Sequence, residues 1–403
     1  MTSQPNTVTR TAAQAGTVDR TGSGFEVERF DRPSDIEREW RRLESDGVTT
    51  VFQRYDWVDS YVTHVLPHLK ARPAIVLGRL HGQPAFILPL AISKVGPARM
   101  ATWIGGDHSG YNFGLWSMEA VAAMALLGRA EIERMLGRAL GDADCAVLAR
   151  TPKSHDGVAQ PLAGLPSRPS STEGYSFDLA GGFDAVLKKT DGSRRRKSIR
   201  KQERKMGEFG VLRYATLRDP ARAGAALDFF FEHKGQRLAE QGKADSFAEP
   251  GVQDFFHELL DRSMAMEEPI LEMMELSVDG TMRAVKGSGI HRGRVNAYFS
   301  TYASDELVSY GPGRALLFRH VEECCERGLS AFDLGVGYEE YKTHWCDIIH
   351  ELDDIYAAFT PLGSATIAAI RSAEAVKHLM RRNKVLWQYL KRARAFLSRR
   401  SSP

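Results

Sequence analysis

The chain has little cysteine: four residues in 403, Cys145, Cys324, Cys325 and Cys346, with no Cys-x-x-Cys spacing and two of them adjacent. That excludes a disulfide framework and a thiolate zinc site, and fits a chain kept reduced in the cytoplasm. His344, Cys346 and His350 lie close in sequence but have no second ligand pair beside them, so no metal is expected. Long apolar runs are missing as well. The longest, around residues 120–127 and 85–92, fall far short of the roughly 20 residues a membrane span requires. Residues 1–24 are rich in Thr, Ser, Gly and Gln and hold no apolar segment, which predicts a disordered tail rather than a secretory leader. Charge of one sign is scarce overall, at net +3. A broadly basic surface is thereby excluded, and no DNA partner is expected.

What charge there is lies unevenly. Residues 371–400 carry +9 and residues 194–205 carry +7, which leaves −13 on the rest of the chain. An acidic body thus bears two basic segments where polyanions would bind. The C-terminal one alternates Leu379, Leu386, Trp387, Leu390 and Phe396 with Arg381, Arg382, Lys384, Lys391, Arg392 and Arg394. An amphipathic, cationic, Trp-bearing helix suits an anionic membrane surface, so a cytoplasmic protein held peripherally at the inner membrane through residues 371–400 is expected.

Periodicity predicts an α/β (α+β) fold with two halves of similar order. Residues 74–80 and 83–93 read as a hairpin across His81-Gly82, followed by a strand at 101–104, a helix over 119–140 with Met124, Leu127, Ile132 and Leu136 on one face, and a strand at 144–149. Residues 270–278, 282–290 and 294–301 read as a meander across Asp279-Gly280 and Arg292-Gly293. A helix follows over 313–327, then a strand at 331–334. A Pro/Ser-rich connector at 161–171 separates the two. The domains expected are a tail at 1–24, a first half at 25–172, a second at 173–361 and a basic helical tail at 362–403.

The second unit carries the chemistry. Ser309-Tyr310-Gly311-Pro312-Gly313-Arg314-Ala315 leads from a strand region into a helix, where free N–H groups and the helix dipole favour phosphates. After the next strand, Asp333, Glu339, Glu340, Tyr341, Lys342 and His344 crowd the position at which an α/β sheet presents its ligands.

These motifs, together with Phe52-Gln53 and Trp57, the basic run from Arg194 to Lys205, and His233 with Arg237, resemble the GNAT acyltransferase superfamily. Within it they resemble the bacterial branch of cellulose-biosynthesis-associated acetyltransferases, over most of residues 50–346. That branch looks like the Fem-type peptidyltransferases in carrying two tandem GNAT-like mixed sheets flanked by helices. The resemblance implies metal-free transfer of an acyl group from acyl-CoA to an amine, on an amino sugar of an envelope polysaccharide or on a lipid amine such as a sphingoid base. Aligning the acyl-CoA loop of the superfamily on Gly311 and Gly313 puts Val308 where a basic or amide residue belongs, and Pro312 offers no N–H. The donor therefore stays open at this point between acyl-CoA, a carrier protein and aminoacyl-tRNA, and a catalytically degenerate scaffold in exopolysaccharide assembly remains an alternative. Lys342, Asp333, Glu340, Tyr341 and His233 are the candidate catalytic residues. Ser309, Tyr310, Gly311, Gly313, Arg314 and Ala315 are the candidate donor-binding set, with the oxyanion donor a backbone N–H on the strand at 295–301. Tyr111-Asn112 is a candidate acceptor wall.

Overall fold

In a computed structural model the chain is described at residues 19–20, 24–189 and 192–382, with side chains to residue 376. The remainder of the expected tail at 1–24 and most of the basic segment at 371–400 lie outside the described residues. Asp19–Arg20 pairs with the strand Phe25–Phe30.

Two mixed sheets stand side by side. The first runs in the order Phe25–Phe30, Arg72–Leu80, Gln83–Val95, Ala98–Trp103, Cys145–Pro152, Leu352–Ala358 and Ser167–Pro169. The second runs Leu212–Thr216, Glu272–Val278, Thr281–His291, Arg294–Tyr302, Ala331–Val336, Gly174–Asp178 and Ile348–His350. Each is an antiparallel meander ending on one parallel neighbour: Ala98–Trp103 beside Cys145–Pro152, and Arg294–Tyr302 beside Ala331–Val336. The meanders turn where the sequence predicted. His81-Gly82, Asp279-Gly280 and Arg292-Gly293 all hold positive φ at both central positions, the two-residue turn whose twist matches that of the strands.

One expectation is corrected. The helix expected over 119–140 is two helices, Met118–Met124 and Arg129–Leu140, because Gly128 starts the second one with Glu131 bonded back to its N–H. Pro33–Ile36 forms a 3₁₀ turn ahead of helix Glu37–Asp46. Strand Leu352–Ala358, although it follows the second meander, completes the first sheet by pairing with Cys145–Pro152. Gly174–Asp178, just past the connector, fills the matching place in the second sheet beside Ala331–Val336. The first sheet therefore takes a closing strand from beyond the second meander, while every strand of the second sheet lies after the connector.

Between the sheets lies a shared aromatic core built on helices Tyr55–His64, Pro220–Glu240 and Val252–Ser263. Trp57 stacks on Tyr61 at 5.4 Å and meets Phe255 edge-on at 5.1 Å, while Phe230 stacks on Phe299 at 4.0 Å. At its rim Asp56 accepts both arms of Arg41 at 2.9 Å. Burial pushes that carboxyl up, but Arg41, Arg262 and Arg54 outweigh it and hold it below the usual carboxylate range. Such a core fixes one half against the other, and the cleft described next lies across their seam.

Candidate active site

Parallel pairing in the second sheet covers only Arg294–Asn296 against Ala331–Asp333. Beyond it the two strands part, leaving a V-shaped gap between Ala297–Tyr302 and Leu334–Val336. On the other side of Arg294–Tyr302 the ladder slips: Gly287 pairs with Phe299 and Ser288 with Ala297, so Tyr298 has no partner. This is a β-bulge, which frees a backbone group at the point where the gap opens. The Tyr298 phenol is buried beside Gly289 and finds no hydrogen-bond partner.

The first sheet parts in the same place, with parallel pairs only at Met100–Ala101 and Cys145–Ala146. There Ala98–Trp103 stays in continuous register with its meander neighbour and has no bulge. Its gap is bridged as well. The Trp103 indole donates to Thr151 Oγ1 at 3.2 Å, and Asn112 donates to the Arg150 and Ala149 carbonyls. Only the second half keeps an open gap.

That gap widens into a cleft of about 660 Å³, within the range of small-molecule sites. One wall is the bulged strand, and another is the start of helix Pro312–Glu326. A third comes from the first half: Phe52 and Asp107–Gly110. Buried Gln53 fixes this third wall by donating to the Tyr111 carbonyl and to Asn112 Oδ1, both at 3.1 Å, while Phe52 packs against Tyr298 at 5.4 Å. Five cationic side chains line the cleft, Lys234, Arg237, Lys286, Arg314 and Lys342, against two acids, Asp107 and Glu339. An excess of that sign suits an anionic ligand.

The glycine loop owes its geometry to two different constraints. Gly311 sits at φ 70° in the left-handed region, which a side chain strains. Gly313 has no such backbone, but a Cβ there would lie 3.1 Å from the Tyr302 ring. Tyr302 in turn carries Arg237 on its face at 4.2 Å. Of the N–H groups in the first turn, those of Arg314 and Ala315 already donate to the Gly311 carbonyl, and Pro312 has none. The Arg314 guanidinium folds back over Gly311, so side-chain charge supplies much of what the backbone lacks here.

Gly311, Gly313 and Arg314 line the cleft, whereas Ser309, Tyr310 and Ala315 do not. Tyr310 turns to Phe209 at 6.0 Å, and Ala315 is buried in the helix. Among the candidate catalytic residues, Lys342 and Tyr341 line the cleft. Lys342 is a buried strut, its ammonium donating to the Val336 carbonyl at 2.9 Å and the Gly335 carbonyl at 3.3 Å. Burial pushes that ammonium down, with Glu339 and Asp333 pulling it partly back. Two of its three protons are thus spent on shaping the end of the strand, and the third is left for the cleft. Burial, with Glu339 beside it, pushes the Tyr341 phenol up.

The other three stand elsewhere. Glu340 is exposed outside the cleft. His233 packs on Phe229 at 4.1 Å, and the next residue, Lys234, takes the place expected for it; one helical step turns a side chain by about 100°. Asp333 faces the seam, accepting from Tyr111 Oη at 2.9 Å and from the Gly335 N–H at 2.7 Å. Burial pushes its carboxyl up despite nearby His350, which bonds Ser176 Oγ at 2.7 Å. Tyr111 and Asn112 are likewise buried in the seam and do not form an acceptor wall. Sequence reading missed Lys286, whose one signal is a charged residue inside an apolar strand.

Residues 193–343 match the family described as acetyltransferase (GNAT) domain. Among solved structures the chain is similar to FemX, at 10% identity over 84% of this chain and 99% of that one, with a TM-score of 0.57. It is also similar to L-PGS from Bacillus licheniformis, at 12% identity over 85% and 97% with a TM-score of 0.50. The C-terminal domain of a candidate lysylphosphatidylglycerol synthetase from Agrobacterium fabrum aligns at 11% identity over 85% and 96%, also at 0.50. No curated protein matches. Residues 193–343 thus match a GNAT acetyltransferase domain, and the chain as a whole shares the fold of these solved structures. No metal-ligating group of three is present among the described residues, and no described helix is long and apolar enough to cross a membrane.

Proposed function

We propose that the protein transfers an acyl group from acyl-CoA to an amine of a cell-envelope molecule. The observation that carries this reading is the bulged strand Arg294–Tyr302 parting from Ala331–Val336 beneath a cationic cleft. A thioester needs a backbone donor for its developing oxyanion, and the bulge supplies one. Its phosphates need cations near a helix start, which Arg314, Arg237 and Lys234 supply. In this reading Lys342 stiffens the strand end and offers its remaining proton to donor or acceptor. The acceptor is an amino sugar or a lipid amine, the latter in keeping with the lysylphosphatidylglycerol synthetase likeness and with the basic segment at 371–400, which suits an anionic inner-membrane surface. An open, bulged cleft argues against the scaffold alternative. Calorimetry with acetyl-CoA, followed by thiol release against a panel of amines, tests the reading. Neither binding nor release with any amine would sink it.

A second reading rests on helix Gly192–Gly207, which buries Ile199 and Met206 but exposes Lys197, Arg200, Lys201 and Arg204 beside the donor end of the cleft. Together with the FemX likeness this favours an aminoacyl-tRNA donor. RNase treatment decides between the two: activity that survives it belongs to acyl-CoA, and activity that disappears belongs to tRNA.

A further inference from the structure

Lys286 stands in the middle of strand Thr281–His291, paired with Met274 on one side and Ser300 on the other, one residue before the slip in register that makes the bulge. It is 5% exposed, yet it lines the cleft. A buried lysine ordinarily has a carboxylate partner. None faces this one. The titratable groups around it are His320 and Cys324 of helix Pro312–Glu326, and Lys342 and Cys346 of the segment after Ala331–Val336. Its ammonium lies 4.9 Å from the Phe332 ring. His320 is also buried against Phe332, at 5.0 Å, with an Nδ1 that has no partner.

We propose that Lys286 is the proton carrier of the transfer, taking a proton from the acceptor amine and returning it to the leaving thiol. This rests on the acyl-CoA reading above. Burial pushes the ammonium down to about 7, with the like charge of Lys342 adding to it and the two cysteines opposing. A base poised there is neutral in a large fraction of molecules at physiological pH. The amine nitrogen attacks the thioester carbonyl carbon, and the C–N bond forms as the carbonyl π pair moves onto oxygen, next to the bulge N–H. Neutral Lys286 takes one N–H proton. The oxyanion collapses, the C–S bond breaks with its electron pair on sulfur, and the Lys286 ammonium protonates the thiolate. Amine and thioester become amide and thiol, and the lysine ends as it began. The absence of a carboxylate matters in this step, because a paired ammonium would hold its proton rather than pass it on.

The test uses the full chain, acetyl-CoA and the amine that supports turnover. Lys286→Met should keep acetyl-CoA affinity by calorimetry but lose kcat about 100-fold or more, and the rise of kcat through neutral pH should vanish with it. Lys286→Arg, which keeps charge but cannot shed its proton, should fail equally. Independently of turnover, competitive acetylation with acetic anhydride read by mass spectrometry should titrate Lys286 near neutrality, well below the surface lysines. Intact binding with an unchanged rate and pH profile in Lys286→Met, or labelling of Lys286 in step with the surface lysines, would overturn this proposal alone. No acetyl-CoA binding by the wild type would overturn the donor reading and this proposal with it.

Discussion

Replacing Lys286 with methionine should stabilise the protein, and by an amount that depends on pH. The wild-type ammonium is moved from an ordinary 10.5 to about 7 by burial. Each factor of ten in proton affinity is worth about 1.4 kcal/mol, so the fold bears on the order of 3–5 kcal/mol to hold this side chain at neutral pH. Between about 7 and 10.5 the unfolded chain carries the proton and the folded chain does not, so protonation favours unfolding. Wild-type stability from this group is therefore complete above 10.5, falls as pH drops toward 7, and changes no further below that. Methionine is close in length and leaves no large cavity, and every other titrating group is common to both proteins. Urea denaturation at pH 6.5 and at 10.5 should show Lys286→Met well ahead at the lower pH and the two proteins nearly level at the higher one. Parallel pH profiles, or a variant less stable at pH 6.5, would refute the reasoning by showing that the lysine is charged and paired in the folded state.

Three further outcomes follow from the cleft and the seam. Gly313→Val would press on Tyr302, 3.1 Å from the new Cβ, and displace Arg237; overpacking of about 1–3 kcal/mol should appear in calorimetry as donor affinity weakened roughly tenfold. Asp333→Ala strands the Tyr111 hydroxyl and the Gly335 N–H, which should cost about 1–3 kcal/mol of stability in urea while acetyl-CoA affinity stays unchanged, since Asp333 lies off the cleft. Arg54 pairs with Glu44 at 2.7 Å and donates to the Glu268 and Ile290 carbonyls across the seam. Arg54→Ala leaves Glu44 half-buried and unpaired, so a loss of about 3 kcal/mol is expected, with faster proteolysis of the intact chain as a second check.

Local chemistry made much of the fold legible. Two-residue turns announced themselves as His81-Gly82, Asp279-Gly280 and Arg292-Gly293, because few dipeptides tolerate positive φ at both positions. The glycines before helix Pro312–Glu326 were equally readable. What escaped was whatever depends on a second segment. The bulge at Tyr298 exists only as a mismatch between two strands, and no composition of one strand records it. Lys234 rather than His233 reaches the cleft because of where the helix is clamped, which the aromatic core decides. Lys342 looked like a ligand-facing charge and is mostly a brace; the Tyr175 ring that its ammonium approaches is distant in sequence.

The late closing strand of the first sheet constrains how the protein is made. A ribosome releases the first meander early, yet that sheet lacks its inner neighbour Leu352–Ala358 until about 200 residues more have been synthesised. Until then Cys145–Pro152 presents an unpaired edge, the kind of surface that invites aggregation. The first half is thus not a self-sufficient module that could be cut out at the 161–171 connector. Truncation between residues 152 and 352 would leave not a shorter folded protein but an open sheet, and the load of such fragments would fall on chaperones.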